Sequence, residues 1–385
     1  MRPSRTEFPR SCLILVLAAL AVLAVVVPSG TAPVAHAQIT AHAQQTRTVQ
    51  SRSTQARTTA SAANPLANLR WGTYSGSHDE LFNAYRHSSG TTHRLVGTLA
   101  FKPRMRWFGA WYSNKWISTA VHRYIRNVTH GRSDVLVQMA VFRVVPWETR
   151  ACDRLPTTAE QNSYKQWINR FASAIGRTHV ALVLQPDLPF AFCVPHHSRI
   201  PLNLVSYAAR VFSALAHTSV YIDAGAADWS PVDRAVTLLK GAGIRYARGF
   251  ALDATHYDST TAEIYHGTKI VRALRAAGYP TRRFVINTAT TGRPFTHPWY
   301  VHHVGSNFNN ARTCANRSER HCVTVGIPPT WHVAAPGLPM SARVKSLAHK
   351  FVDGYMWIGR PWLRNQASPF DMQRALAVAR TNPFR

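Results

Sequence analysis

From residue 64 onward, short apolar runs alternate with longer amphipathic stretches. The runs at 106–111, 135–142, 180–185, 220–223, 249–252, 284–286 and 355–358 have the length and β-branched content of buried strands. The stretches at 158–175, 202–216, 231–242, 260–277 and 341–351 repeat apolar residues at helical spacing. Pro231 stands where a first-turn proline belongs, and Gly176 and Gly243 stand where helices stop. Strand and helix in alternation imply parallel strands joined by right-handed crossovers. Seven such units predict an α/β fold, a distorted parallel barrel in a single domain over 64–385. An open sheet is the other architecture that fits the pattern.

The first 63 residues follow a different pattern. Arg2, Arg5 and Arg10 precede the apolar run LILVLAALAVLAVVV, which leads to the small-residue site Ala35-His36-Ala37. That order reads as a secretory signal peptide over 1–37. The competing reading is an uncleaved membrane anchor, against which the run falls short of the ~20 residues that a spanning helix needs. Either way the remainder is expected outside the cell, and contact with a membrane only through this segment. Residues 38–63, rich in Thr, Ser, Gln and Ala without an apolar period, read as a flexible tether.

The hydrophobic share of 46% suits a globular chain. The net charge of +28 becomes +26 without residues 1–37, which carry three Arg and one Glu. Arginine spread this widely favours a weak attraction to anionic wall polymers. No Lys/Arg-rich run or nucleic-acid motif is present, so no specific nucleic-acid partner is expected. Cys152, Cys193, Cys314 and Cys322 remain after Cys12 leaves with the signal, and four cysteines in an exported chain allow three disulfide pairings. The pairs His196-His197 and His302-His303 lack an acidic companion at ligand spacing, so neither metal nor other cofactor is expected.

With 17 acidic residues in the chain, catalytic carboxylates can be sought one by one. In parallel α/β folds the site lies at the carboxyl ends of the strands. There the sequence offers Pro146-Trp147-Glu148-Thr149-Arg150, Gln185-Pro186-Asp187, Asp223-Ala224-Gly225, Asp253-Ala254-Thr255-His256 and Asn287-Thr288. Strand-end carboxylates with tryptophans nearby suit a carbohydrate cleft. Aromatic faces pack on sugar rings, while one carboxyl protonates the bridging oxygen and another activates water. Leu188, Pro189 and Phe190 beside Asp187 should favour its neutral form.

Several of these segments follow one another as they do in glycoside hydrolase family 6, the inverting cellobiohydrolases and endoglucanases. Trp107-Phe108 resembles the family's first-strand motif. Arg150-Ala151-Cys152 stands for its Arg-Asp-Cys and Gln185-Pro186-Asp187 for its Glu-Pro-Asp. Tyr221-Ile222-Asp223-Ala224-Gly225 with Trp229, Ala247 to Leu252 with Tyr257, Val285-Ile286-Asn287-Thr288 with Gly292, and Met356-Trp357-Ile358 complete the series. The resemblance implies β-1,4-glucan hydrolysis with Asp187 as proton donor and Asp223 as a partner that orients the site. It also implies a polysaccharide substrate, contacted by Trp107, Trp229, Asp253, His256, Asn287, Trp357 and Arg360. Trp331 and Trp362 are further stacking candidates. Cys193 stands at the spacing of the family's disulfide partner for Cys152, which leaves Cys314 to pair with Cys322.

The departures concern the second half of the chemistry. The family's second aspartate is Ala151 here, and a two-residue insertion brings in Glu148, which, with Arg150, is placed among the catalytic residues. The family's base loop is replaced by Gly359-Arg360-Pro361-Trp362-Leu363, with no carboxylate until Asp371. The base is therefore expected among Asp223, Glu148 and Asp253. Two other readings stay open: a glycan-binding protein on a degenerate scaffold, and a hydrolase of an anionic wall polysaccharide.

Overall fold

The computed structural model describes residues 63–144 and 152–384. The expected signal segment, nearly all of the expected tether, Glu148 and Arg150 lie outside the described residues. The strands are β1 (Arg70–Trp71), β2 (Arg106–Gly109), β3 (Val135–Phe142), β4 (Val180–Leu184), β5 (Thr218–Asp223), β6 (Gly249–Leu252), β7 (Arg283–Asn287) and β8 (Val352–Met356). Every ladder is parallel, and β2 to β8 pair in sequence order. The two-residue β1 pairs with the start of β3 while β2 pairs with its end. The result is a curled seven-strand parallel half-barrel, as the alternating pattern predicts.

Strands β3, β4 and β6 are buried at every residue, which is why they read as unbroken apolar runs. Helix Thr158–Ile175 has the predicted bounds, and a capping box fixes its start. Glu160 N donates to the Thr157 hydroxyl and Thr157 N to the Glu160 carboxylate. Ser259 and Ser341 cap Thr260–Ala276 and Ala342–Phe351 in the same position. Pro231 proves to be the N-cap residue of Val232–Gly241 and not a residue of its first turn. β8 begins three residues before the expected 355–358, because Asp353 and Gly354 interrupt the apolar run that would have announced it. Five helices went without an expectation: Glu80–Arg86, Gly90–Ala100, Ile117–Thr129, His297–His303 and Met372–Thr381. Of these, Ile117–Thr129 carries a clear stripe of Ile117, Val121, Tyr124 and Val128.

No ladder joins β2 to β8 among the described residues. The gap is bridged by single bonds: Met105 N to Trp357 O at 2.9 Å and Trp107 Nε1 to Ile358 O at 2.9 Å. Lower down, Trp71 fills the space over Gly354, where a Cβ would come within 2.8 Å of its ring. Asp353, fully buried on β8, ties the strands together from within. Its carboxylate accepts from Tyr221 Oη at 2.9 Å and from Arg248 Nε at 2.8 Å, and pairs with Arg283 Nε at 2.9 Å. β5 and β8 are not neighbours in the sheet, so the Tyr221 bond crosses the inside of the curl.

Removing one member of a buried ion-pair network strands the others without water. Asp353→Ala should therefore lower unfolding stability by about 3–5 kcal/mol, measured by urea titration. A loss below about 1 kcal/mol, the range of an exposed pair, would mean that the two arginines find other partners.

Candidate active site

At the carboxyl ends of the strands lies a cleft of about 1290 Å³. Asp187, Trp107, Trp229, His256, Arg360 and Trp362 from the sequence reading line it. Asp187 follows β4 through a sharp turn in which Gln185 (φ 56°) and Asp187 (φ 63°) are both left-handed. Non-glycine residues in that region are held there by their surroundings. Gln185 supplies the hold: its amide donates to Val141 O at 2.7 Å, and its Oε1 accepts from the amides of Arg143 and Val144, each at 3.3 Å. The disulfide Cys152–Cys193 closes just beyond the turn Leu188–Phe192 and anchors the same wall. Cys314–Cys322 closes a separate loop, so the pairing is the expected one.

Burial pushes the Asp187 carboxyl above its usual range. The Thr255 hydroxyl, donating to Asp187 Oδ1 at 2.6 Å, and the charge of His256 act in the opposite direction without overcoming it. The neutral form of the group is thus favoured beside an open cleft.

Asp223 ends β5 and sits behind Asp187, 1% exposed, off the cleft lining. Burial and then the charge of Asp187 raise it well above the usual range, against the backbone amides of Gly225, Leu188 and Asp187. Asp253 is fully buried and left-handed at the end of β6. Its carboxyl accepts from Asp258 N at 3.1 Å and is raised well up by burial and by Glu263, Asp228 and Asp258. Asn287 is fully buried too. Its Oδ1 takes the amides of Ala289, Ile358 and Gly359, and its Nδ2 donates to Asp253 O and Thr290 Oγ1. It thereby rivets the ends of β6, β7 and β8. Trp357, 1% exposed, packs in the core formed with helices Gly90–Ala100 and Met372–Thr381, and its Nε1 donates to Ile327 O. Trp331 stacks on His332 away from the cleft. So Asp253, Asn287 and Trp357, expected to touch substrate, are buried and do not line the cleft.

The aromatic residues on the cleft are themselves braced. Arg360 lies over the Trp107 ring at 4.4 Å, and His256 stacks on Trp229 at 4.8 Å and 9°. The cleft also holds residues that the sequence reading passed over: Asp79, Glu80, Trp111, Asp228 and Thr255. Asp228 was legible in principle, since it stands immediately before Trp229. Burial works to raise it, but its hydrogen bond with His256 Nδ1 at 2.7 Å and the amide of His297 at 2.6 Å hold it below the usual carboxylate range.

A model of the glycosyl hydrolases family 6 matches residues 67–318. The chain belongs to this family. Endoglucanase A of Cellulomonas fimi is 28% identical over 222 residues, 57% of this chain and 46% of that protein. Endoglucanase 1 of Streptomyces halstedii is 27% identical over 213 residues, 54% of this chain and 65% of that one. The matched segment thus spans less than two thirds of either relative's length. The same fold is found in the endoglucanase Cel6 from Mycobacterium tuberculosis, with a TM-score of 0.65 at 21% identity, covering 83% of this chain and 99% of that one. Cellobiohydrolase II from Humicola insolens gives 0.57 at 18%, covering 78% and 87%.

Within this family 6 site, Asp223, Asp253 and Glu263 are all held well above their usual range, and Asp258 is pushed up to about 6 by burial. Above about pH 4, where the unfolded carboxyls ionise, the folded protein therefore keeps protons that the unfolded chain has lost. The associated stability is complete below that pH and is lost as pH rises through the folded values. Thermal melting should show Tm falling from about pH 5 toward pH 8. Glu263→Gln, which preserves an acceptor for Ala227 N, should flatten that fall. An identical slope in the variant would show that Glu263 does not carry the linkage.

Proposed function

We propose that the protein is a secreted β-1,4-glucan hydrolase that inverts the anomeric carbon, with Asp187 giving its proton to the departing oxygen. The observation that carries this reading is a carboxyl just after β4, held by Thr255 and lining an aromatic-walled cleft, whose burial favours its neutral form. Its raised proton affinity favours the acid form that donation requires. Family membership supports the substrate class. The relatives are named endoglucanases, and the Humicola insolens cellobiohydrolase is described in complex with glucose and cellotetraose. Two disulfides suit an extracellular protein.

Inversion needs an ionised base ~6.5–9.5 Å from the acid, with room for water between them. Asp223 and Asp253 are buried, and burial holds both well above the usual carboxylate range, which suits support of the site and not water activation. Glu80, exposed on the cleft at the start of helix Glu80–Arg86, joins Glu148 as a base candidate. The alternative reading, a glycan-binding protein, draws on this thin supply of ionised carboxylates. An anionic substrate is less well supported, because Arg104 and Arg106 on the cleft are already engaged by Asp79 and by Tyr112 and the His78 carbonyl.

Reducing-sugar release from soluble β-glucan and cellulose should be clear for the wild type and fall by about 10²–10⁴-fold in Asp187→Asn. Product from the wild type alone supports hydrolysis with this acid. A folded wild type that binds glucan and releases nothing would establish the binding reading instead.

A further inference from the structure

The acid reading leaves a pair on the cleft wall without a task. His256 donates or accepts through Nδ1 at 2.7 Å from Asp228 Oδ1, and Asp228 Oδ2 takes the amide of His297 at 2.6 Å. The imidazole is stacked on Trp229, meets Phe308 edge-on at 5.1 Å, and lies on the cleft with its side chain 10% exposed. Its Nε2 has no hydrogen-bond partner among the described residues. So firm a hold on one ring, with one nitrogen left over, is how proteins present a charge-bearing histidine to a site.

What such a charge would do follows from the neighbouring chemistry. As Asp187 passes its proton to the bridging oxygen and the carbon–oxygen bond breaks, a neutral carboxyl becomes an anion in a buried place. Thr255, the residue before His256, donates to Asp187 Oδ1 at 2.6 Å, and Asp187 and His256 both line the cleft, where the charge of His256 acts on Asp187.

On the reading of Asp187 as the acid, we propose that His256, oriented by Asp228, is a positioning residue whose imidazolium stabilises the carboxylate that forms on Asp187 during bond cleavage. The interaction exists fully only after proton transfer begins, so it lowers the barrier and not the ground state. The groups that face the imidazole are Asp187 after β4, Asp228 after β5, Asp258 on its own segment and His297 at the head of His297–His303.

The test compares wild type, His256→Gln and Asp228→Asn on soluble β-glucan across pH, with Asp187→Asn in parallel. His256→Gln should lower kcat by about tenfold to a hundredfold and change KM by less than about threefold. It should also move the basic limb of the pH profile upward, because one of the influences that oppose burial at Asp187 is then gone. Asp228→Asn should shift the limb in the same direction by a smaller amount, and it decides the matter if His256→Gln does not fold. A higher KM with unchanged kcat and an unmoved limb would make His256 a sugar-holding contact and overturn the inference. If Asp187→Asn keeps full activity, the acid assignment itself is wrong. If it loses activity while both limbs stay fixed, only the role of His256 is wrong.

Discussion

Seven parallel strands that curl without closing leave two edges facing each other, and the molecule depends on how that seam is bridged. Met105 and Trp107 on one side bond to Trp357 and Ile358 on the other, while Asn64 Nδ2 donates to Asp353 O at 2.8 Å farther down. A fully laddered barrel would fill this space with backbone hydrogen bonds. Here side chains fill it, and at the carboxyl end they double as cleft wall: Trp107 carries Arg360 on its face and Trp362 stands close by. Asp353 makes such a seam tolerable. Tyr221 of β5, Arg283 of β7 and Arg248, just before β6, converge on one buried carboxylate, so the strands are held from the inside where the edge ladder is missing.

The same economy governs the opposite end of the sheet. Six of the chain's 17 acidic residues, Asp187, Asp223, Asp228, Asp253, Asp258 and Glu263, gather near the ends of β4 to β6. Ionised together they would repel strongly in a region of low dielectric. Protonation resolves the conflict for the buried members, whereas Asp228 stays ionised because His256 and the His297 amide face it. A cluster with unequal proton affinities is what acid catalysis requires. The left-handed backbone at Gln185, Asp187 and Asp253 shows that the surrounding structure enforces this arrangement locally.

Much of the scaffold was legible because buried parallel strands are simply apolar: 135–142 and 249–252 could be bounded to the residue. β8 was placed three residues late because its central Asp353 and Gly354 serve the ion-pair network and the Trp71 contact, which no periodicity records. At the site, the place of Asp187 on the cleft was readable from one motif, since a single turn after β4 sets it there. Trp357 and Asn287 share a motif with the cleft but face away from it. A strand-end position in sequence does not tell which side of the rim a side chain takes. Asp228 and Thr255 were missed for the converse reason: each matters through a partner distant in sequence, His256 for one and Asp187 for the other.

Those partnerships also bear on where water would be activated. A base must keep an ionised oxygen available to water, and most carboxylates near the cleft have theirs committed. Asp79 caps helix Glu80–Arg86 through Phe82 N and pairs with Arg104 at 2.9 Å. Asp228 is shared between His256 and His297 N. Glu80 differs, because it is exposed on the cleft. An acid built into a rigid turn on β4, opposed by a base on the first turn of a surface helix, would separate the two roles between the firm and the adaptable parts of the fold. Such a division suits inversion, in which the acid must meet a fixed bridging oxygen while the base needs only to reach a mobile water.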